Sequence, residues 1–127
     1  MNFLLDTHAF IWFFNGDTQL SDSATRLITD AENKCFLSIA SVWEIGIKTS
    51  LGKLELRGDL AEMTAFMTAG AIELLPIELR HIQRLQTLPF HHRDPFDRLL
   101  IAQALTEGLT LLSRDTVFGQ YSVPLYW

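Results

Sequence analysis

The sequence of 127 residues predicts a three-layer α/β fold, in which helices cover both faces of a central, mostly parallel sheet of four to five strands. Three observations support this class. Short apolar runs alternate with segments whose apolar residues recur at helical spacing, a pattern typical of parallel strands joined by right-handed crossovers. An apolar content of 48% is sufficient for a buried core at this length. No linker, repeat or low-complexity segment is visible, so we expect one domain over residues 1–127.

The strands are predicted from short apolar runs. They lie at residues 2–5, 35–39, 72–75 and 109–112, with a last extended piece at 123–126. Residues 53–56 alternate polar and apolar side chains, which is compatible with a short edge strand or an extended turn.

The helices are predicted from apolar residues at helical spacing and from capping signals. We expect helices at 7–14, 21–32, 41–52, 59–69, 78–88 and 95–108. Ser21 and Ser41 are the expected N-caps of the second and third. Gly70 is the expected cap at the end of the fourth, and Pro89 should stop the fifth.

Composition limits the classes of function. A net charge of −5 argues against simple electrostatic binding of a polyanion, unless bound divalent cations reverse the charge locally. The apolar runs are far shorter than the roughly 20 residues that span a bilayer, and no secretory leader is visible. The single cysteine, Cys35, excludes an internal disulfide and is expected to pack in the core. We therefore expect a cytoplasmic protein without a membrane segment.

The helix that opens at Pro95 carries an acid at the head of its buried face. Asp94 followed by proline is typical of a helix start. Counting from Asp97, the positions three, four, seven and eight residues later are apolar and share its stripe: Leu100, Ile101, Ala104 and Leu105. Asp97 could simply favour the helix dipole, a contribution of about 0.3 to 1 kcal/mol. However, that role does not require a carboxylate facing the core, where an unpaired charge is costly.

Three further acids are placed where a parallel sheet builds its sites. Asp6 follows the first strand and Asp115 follows the fourth, while Glu44 heads a mostly apolar stripe on the helix after the second. With Asp97, four carboxylates can meet at one end of the sheet. Such a group requires cations, and oxygen-only ligands suit Mg²⁺ or Mn²⁺ better than Zn²⁺. The set is typical of phosphodiester hydrolysis by a metal-activated water.

The sequence resembles PIN-domain ribonucleases of the VapC type, the toxins of bacterial toxin-antitoxin pairs. The matching motifs are F-L-L-D-T-H at 3–8, S-V-W-E-I-G-I-K at 41–48, H-R-D-P-F-D-R-L-L-I-A-Q-A at 92–104 and L-L-S-R-D at 111–115. They cover nearly the whole chain in family order. The resemblance implies a PIN-like fold, Mg²⁺-dependent endonucleolytic cleavage of RNA, a cognate antitoxin that blocks the site, and homodimers.

The resemblance also implies roles for individual residues. Asp6, Glu44, Asp97 and Asp115 would be the catalytic, metal-binding acids, and Asp94 a helix cap or a group behind the ligands. We expect Asp6 and Asp97 to hold the principal ion, with Glu44 and Asp115 acting through water or a second ion. Positive charge and hydrogen bonds for the substrate would come from Thr7, Lys48, Arg93, Arg98, Ser113 and Arg114.

Other classes of protein fit the sequence less well. A Mg²⁺-binding phospho-receiver would need an acid pair after the first strand, and an aspartyl phosphatase an acid in place of His8. A catalytically inactive protein-binding module is a third alternative. His91 and His92 are more typical of a solvated or substrate-facing loop than of a zinc site. Trp12 and Trp43 are more typical of a core than of a base-stacking surface.

Overall fold

A computed structural model describes residues 1–127 and shows one parallel sheet. Its five strands are β1 (Asn2–Leu5), β2 (Lys34–Ser38), β3 (Ile72–Leu75), β4 (Thr110–Leu112) and β5 (Leu125–Tyr126). They are ordered β3-β2-β1-β4-β5, and every neighbouring pair is parallel. The α/β class is confirmed. Residues 53–56 form no strand, so the edge strand that was one of the two forms expected there is wrong.

Six α-helices and one 3₁₀ helix connect the strands. They are α1 (Thr7–Asn15), α2 (Asp22–Thr29), α3 (Ile39–Ser50), α4 (Leu60–Ala69), α5 (Leu79–Gln86), α6 (Pro95–Glu107) and the 3₁₀ helix Thr116–Tyr121. Helix α2 ends before the predicted Glu32 because the Asp30 carboxylate accepts from the N–H of Glu32 and closes a turn. None of the helices combines the length and apolar character needed to cross a bilayer.

The sheet separates two apolar cores. Successive residues of a strand face opposite sides, so Phe3 and Leu5 of β1 enter one core while Leu4 enters the other. The first core is closed by α1 to α4, and Cys35 lies buried in it as expected. The second is closed mainly by α6 and the 3₁₀ helix. The three layers follow from this division.

Helix α3 begins earlier than predicted. Its N-cap is Ser38, whose hydroxyl accepts from the N–H of Ala40, and the predicted cap, Ser41, lies inside the first turn. The Ser38 hydroxyl also donates to the Gln103 side-chain carbonyl on α6, 2.5 Å away. Both residues are fully buried. This hydrogen bond fixes the start of α3 against the middle of α6.

The strand order defines where a site can form. From β1 the chain crosses to β2 and β3 on one side, and later returns to β4 on the other side of β1. The carboxyl ends of β1 and β4 therefore flank the point where the strand order reverses, the usual position of a ligand site in such sheets.

Candidate active site

Asp6 is the first residue beyond β1. Its backbone N–H donates to the carbonyl of Leu112 on β4 (3.0 Å), and its carboxylate makes no capping bond to α1. The residue is only 7% exposed, and its carboxylate accepts from the Ser113 hydroxyl, 2.9 Å from Oδ2. Burial raises the pKa of Asp6, and the Ser113 hydrogen bond and the nearby His8 act in the opposite direction. Ser113 thus holds the Asp6 carboxylate as an acceptor between the ends of β1 and β4, where the strand order reverses.

Asp97 lies in the first turn of α6 and faces the other acids. Asp94 is the helix cap, as expected, and accepts from the N–H groups of Phe96 and Asp97. The Asp97 side chain is 26% exposed. Its own carboxylate accepts no hydrogen bond. Burial raises the pKa of Asp97 from 3.8 to about 7, and repulsion from Asp94, Asp6, Glu44 and Asp115 adds to the rise. The structure therefore brings the four sequence-predicted acids into one cluster.

Glu44 is buried on α3 and pairs with Lys48, one turn further along the same helix. The Lys48 ammonium lies 2.6 Å from Oε2 of Glu44. This hydrogen bond is the main cause of the raised pKa of Lys48, and the charges of Asp94 and Asp97 contribute to it. The pair thus belongs to the acidic cluster, and Lys48 is a predicted cation that the structure places there.

Asp115 joins the cluster from the other side and brings a histidine with it. One carboxylate oxygen caps the 3₁₀ helix by accepting from the N–H of Val117, and the other lies 3.2 Å from Nε2 of His92. The same nitrogen lies 3.6 Å from Asp97. The His92 side chain is 8% exposed and stacks on Phe118. His92 therefore does not lie in a solvated loop, and the other expectation, a substrate-facing loop, stays a prediction.

Two predicted substrate contacts have structural partners instead. Thr7 is buried, and its hydroxyl donates to the Ser41 hydroxyl (2.8 Å), which joins the start of α1 to α3. The Ser113 hydroxyl is buried as well and donates to Asp6 while it accepts from the N–H of Asp115. Thr7 and Ser113 therefore orient the elements and side chains that carry the acids.

Arg98 does not lie at the rim, and the expectation that it contacts substrate is wrong. It is 5% exposed, and its guanidinium donates to the backbone carbonyls of Leu85, Leu88 and Pro89. Phe90 covers the guanidinium, 4.0 Å from its ring centroid. These carbonyls lie in the last turn of α5 and in the chain just after it, so Arg98 anchors the end of α5 and the α5–α6 connection to α6.

Of the remaining predicted cations, Arg93 and Arg114 are both exposed. Arg93 precedes the cap of α6 and Arg114 immediately precedes Asp115. The Arg114 guanidinium lies over the ring of Trp12, 4.6 Å from its centroid. Trp12 is partly buried and packs against the first core, whereas Trp43 is 61% exposed, so the expectation of a core position is wrong for Trp43.

The donor set fits a hard divalent cation. The four acids offer carboxylate oxygens, which Mg²⁺ and Mn²⁺ prefer. Lys48 forms its ion pair with Glu44, and the Asp97 carboxylate accepts no hydrogen bond, so one ammonium faces four acids and the cluster keeps net negative charge. The His92, Asp97 and Asp115 ligand atoms all lie within 4.8 Å of one another. The acidic cluster could therefore bind a divalent metal ion.

Comparison with known proteins assigns the family. Residues 3–124 match the family described as the PIN domain. The chain belongs to the PIN-domain family. PIN domains are nucleases, and the α/β/α architecture above is the PIN-like fold expected from the resemblance. The phospho-receiver alternative is wrong, because the match covers nearly the whole chain. No curated protein sequence matches the chain significantly.

Solved structures support the fold. The chain is similar to one in the structure of VapBC2 from Rickettsia felis bound to a DNA fragment from their promoter, with a TM-score of 0.74, 16% identity, and coverage of 99% of this chain and 98% of that chain. It is also similar to a chain in the crystal structure of FitAcB from Neisseria gonorrhoeae. The TM-score is 0.66, the identity is 19%, and the match covers 98% of this chain and 96% of that chain. A third match is to VapBC-1 from nontypeable Haemophilus influenzae, with a TM-score of 0.68, 14% identity, and coverage of 99% and 97%.

Proposed function

We propose that this PIN domain is a Mg²⁺-dependent endoribonuclease and the toxin of a toxin-antitoxin pair. The observation that carries the nuclease proposal is the position of Asp97. Its raised pKa reflects burial and the charges of the other acids of the cluster, which come from separate parts of the chain. Such a convergence of carboxylates, with Asp97 accepting no hydrogen bond, is costly unless it has a use, and divalent ion binding provides one.

The acids and their neighbours would divide the work. Asp6 and Asp97 would hold the principal Mg²⁺ or Mn²⁺, with Glu44 and Asp115 acting through water or at a second ion. When bound, a divalent ion lowers the pKa of water and stabilises the charge that develops on the phosphoryl group. Ser113 keeps the Asp6 carboxylate oriented.

Cations of the chain would contact the RNA backbone. Arg93 and Arg114 are exposed at the rim and can donate to phosphate oxygens. Lys48 is bound to Glu44, so its ammonium offsets the charge of that carboxylate. The charges of the ion and of these side chains would offset the overall charge of −5 where the RNA approaches.

The toxin role rests on the likeness to VapBC and FitAcB structures, together with the resemblance of the motifs. We propose that a cognate antitoxin binds this chain, that the chain forms homodimers, and that it acts in the cytoplasm. Several large apolar side chains are exposed and could be covered by such partners; they include Trp43, Leu51, Leu74 and Leu79.

A cleavage assay tests the nuclease proposal. The purified protein should cleave RNA with Mg²⁺ or Mn²⁺ and not with EDTA. Asp6→Asn and Asp97→Asn should each lower the rate by at least 100-fold. Asp22→Asn is the matched control, since Asp22 is an exposed first-turn acid of α2 outside the cluster. Cleavage by both cluster variants at the parental rate would exclude the proposed site, and absence of any metal-dependent cleavage would favour the inactive binding module.

The toxin proposal has a separate test. Expression of the chain alone in a bacterium should slow growth, and Asp97→Asn should restore it. Normal growth in the presence of active nuclease would contradict the toxin role without contradicting the chemistry.

A further inference from the structure

A small cavity opens beside the acidic cluster. It has a volume of about 260 Å³ and is lined by Asp6, His8, Trp12, Arg114 and Asp115. Two of these residues are acids of the proposed catalytic site. A ligand in this cavity would therefore lie directly next to the acids that are proposed to bind the metal ion.

The other three lining residues are brought together by the fold. His8 and Trp12 are one turn apart on α1, so they share a face, with ring centroids 5.8 Å apart. Arg114 follows β4 and extends its guanidinium over the indole of Trp12. The ring of Trp127 contacts Trp12 edge-on, with centroids 5.9 Å apart. Contacts with Arg114 and Trp127 therefore hold the Trp12 ring in place.

Trp12 packs against the first core with one side, but this packing does not account for its exposed side or for the exposed His8. Phe10 and Phe14, on the same helix, are buried in the first core, whereas Trp12 is partly exposed and His8 is exposed. Arg114 forms no ion pair, although Asp115 follows it in the chain and both line the cavity. An aromatic ring covered by an unpaired guanidinium, at the edge of a phosphate-handling site, has the chemistry of a nucleotide-binding subsite.

We infer that this cavity binds the nucleotide adjacent to the scissile phosphate of a single-stranded RNA. The base stacks on the surface formed by Trp12 and the Arg114 guanidinium, and Arg114 and His8 donate to the neighbouring phosphate. The inference rests on the proposed ribonuclease function and adds a substrate class to it. A cavity of this volume takes about one nucleotide, below the usual size of pockets for larger ligands.

The chemistry sets the substrate preference. Stacking requires a base that is free of its own helix, so duplex RNA cannot fill the cavity. Every base has a π-face, and the cavity should therefore accept all four bases with modest differences. One stacked base contributes about 1 to 3 kcal/mol, so its loss should weaken binding by about 5- to 150-fold.

The experiment measures binding of a fluorescein-labelled single-stranded oligoribonucleotide in EDTA, in an Asp97→Asn background that blocks cleavage. Trp12→Leu, which retains an apolar side chain but no ring, should raise the Kd about tenfold. Trp12→Phe, which retains a ring, should restore most of the affinity. Arg114→Gln should raise the Kd and reduce its salt dependence. Arg26→Gln is the charge-matched control, since Arg26 is exposed on α2 and outside the cavity.

Cleavage kinetics of the same variants, measured with Asp97 unchanged, complete the test. With Mg²⁺, Trp12→Leu should raise KM for single strands and leave kcat within about threefold. Thermal unfolding checks folding of each variant, and Arg114→Gln, at an exposed position, keeps the test valid if Trp12→Leu is unstable. Unchanged Kd and KM in Trp12→Leu and Arg114→Gln would overturn the subsite even if the protein is an active ribonuclease. Loss of oligonucleotide binding in these variants of a protein that cleaves nothing would support the subsite and refute the nuclease.

Discussion

Replacing Asp97 by Asn should stabilise the metal-free protein, although it should abolish activity. The carboxylate is buried among acids, so ionising it in the folded state is unfavourable. Its pKa is raised to about 7, against 3.8 for an unfolded chain. Between pH 3.8 and about pH 7, Asp97 keeps its proton in the folded state and releases it in the unfolded state. The contribution of Asp97 to the free energy of unfolding is therefore highest below about pH 4, falls as pH rises toward 7, and is constant above that.

The magnitude follows from the two pKa values. One pH unit between them corresponds to about 1.4 kcal/mol, which gives about 4 kcal/mol above pH 7 for a fully buried group. The Asp97 side chain is 26% exposed, and solvent screening reduces this to about 2 kcal/mol. Asn also gives up the interaction of an acid with the N-terminus of α6, about 0.5 kcal/mol. We expect a net gain of about 1.5 kcal/mol.

Thermal unfolding in EDTA measures this gain. At pH 8 the Tm of Asp97→Asn should exceed that of the parent by about 6 °C, and at pH 4 the difference should vanish. Saturating Mg²⁺ should reverse the order. An ion present at 100 times its Kd stabilises the parent by about 2.7 kcal/mol, and the variant should gain much less.

Asp22→Asn controls for the helix dipole, because Asp22 is also a first-turn acid but is exposed. It should lower the Tm slightly at pH 8, with or without Mg²⁺. A lower Tm for Asp97→Asn in EDTA at pH 8, or a gain equal at pH 4 and pH 8, would show that Asp97 is not a strained carboxylate and would refute the electrostatic argument.

Three further changes test the supporting structure. Ser113→Ala removes the donor to Asp6 and should weaken Mg²⁺ binding in calorimetry about tenfold; unchanged affinity would contradict the orienting role. Arg98→Met removes the guanidinium donor of the Leu88 and Pro89 carbonyls, while the Leu85 carbonyl keeps the N–H of Leu88. It should lower the free energy of unfolding in urea by about 3 kcal/mol, whereas Arg93→Met at an exposed position should have no measurable effect. Asp59→Ala removes the capping box of α4 and should cost about 1 kcal/mol in the same urea titration.

The strands were predictable because their side chains are apolar on both faces of the sheet. In β1 and β2, residues of both parities enter a core, so each strand is a continuous apolar run in the sequence. The start of α3 was less predictable. Ser38 and Ser41 are equally good caps by residue type, and what distinguishes them is the bond from Ser38 to Gln103, 65 residues away. Such a tertiary partner leaves no local signal.

The same limit applies to the site. The inward direction of Asp97 followed from the spacing of apolar residues on α6, and the raised pKa agrees with it. Arg98 was misplaced because α6 is buried on nearly every side from Arg98 to Ala104, so a cation there can face the interior. Its acceptors are backbone carbonyls, which sequence cannot identify. His92 was missed for a related reason, since its contact with Asp115 depends on how two distant loops meet.

A cluster of like charges needs support from outside itself, and hydrogen bonds elsewhere in the fold provide it. Glu44 and Asp97 lie on α3 and α6, and the buried Ser38–Gln103 bond joins these two helices away from the acids. Arg98 anchors α6 to the chain after α5, and Thr7 joins α1 to α3 through Ser41. None of these bonds involves the acids of the cluster or needs a metal ion. The carboxylates therefore stay in place without an ion, and their mutual repulsion becomes free energy available for binding one.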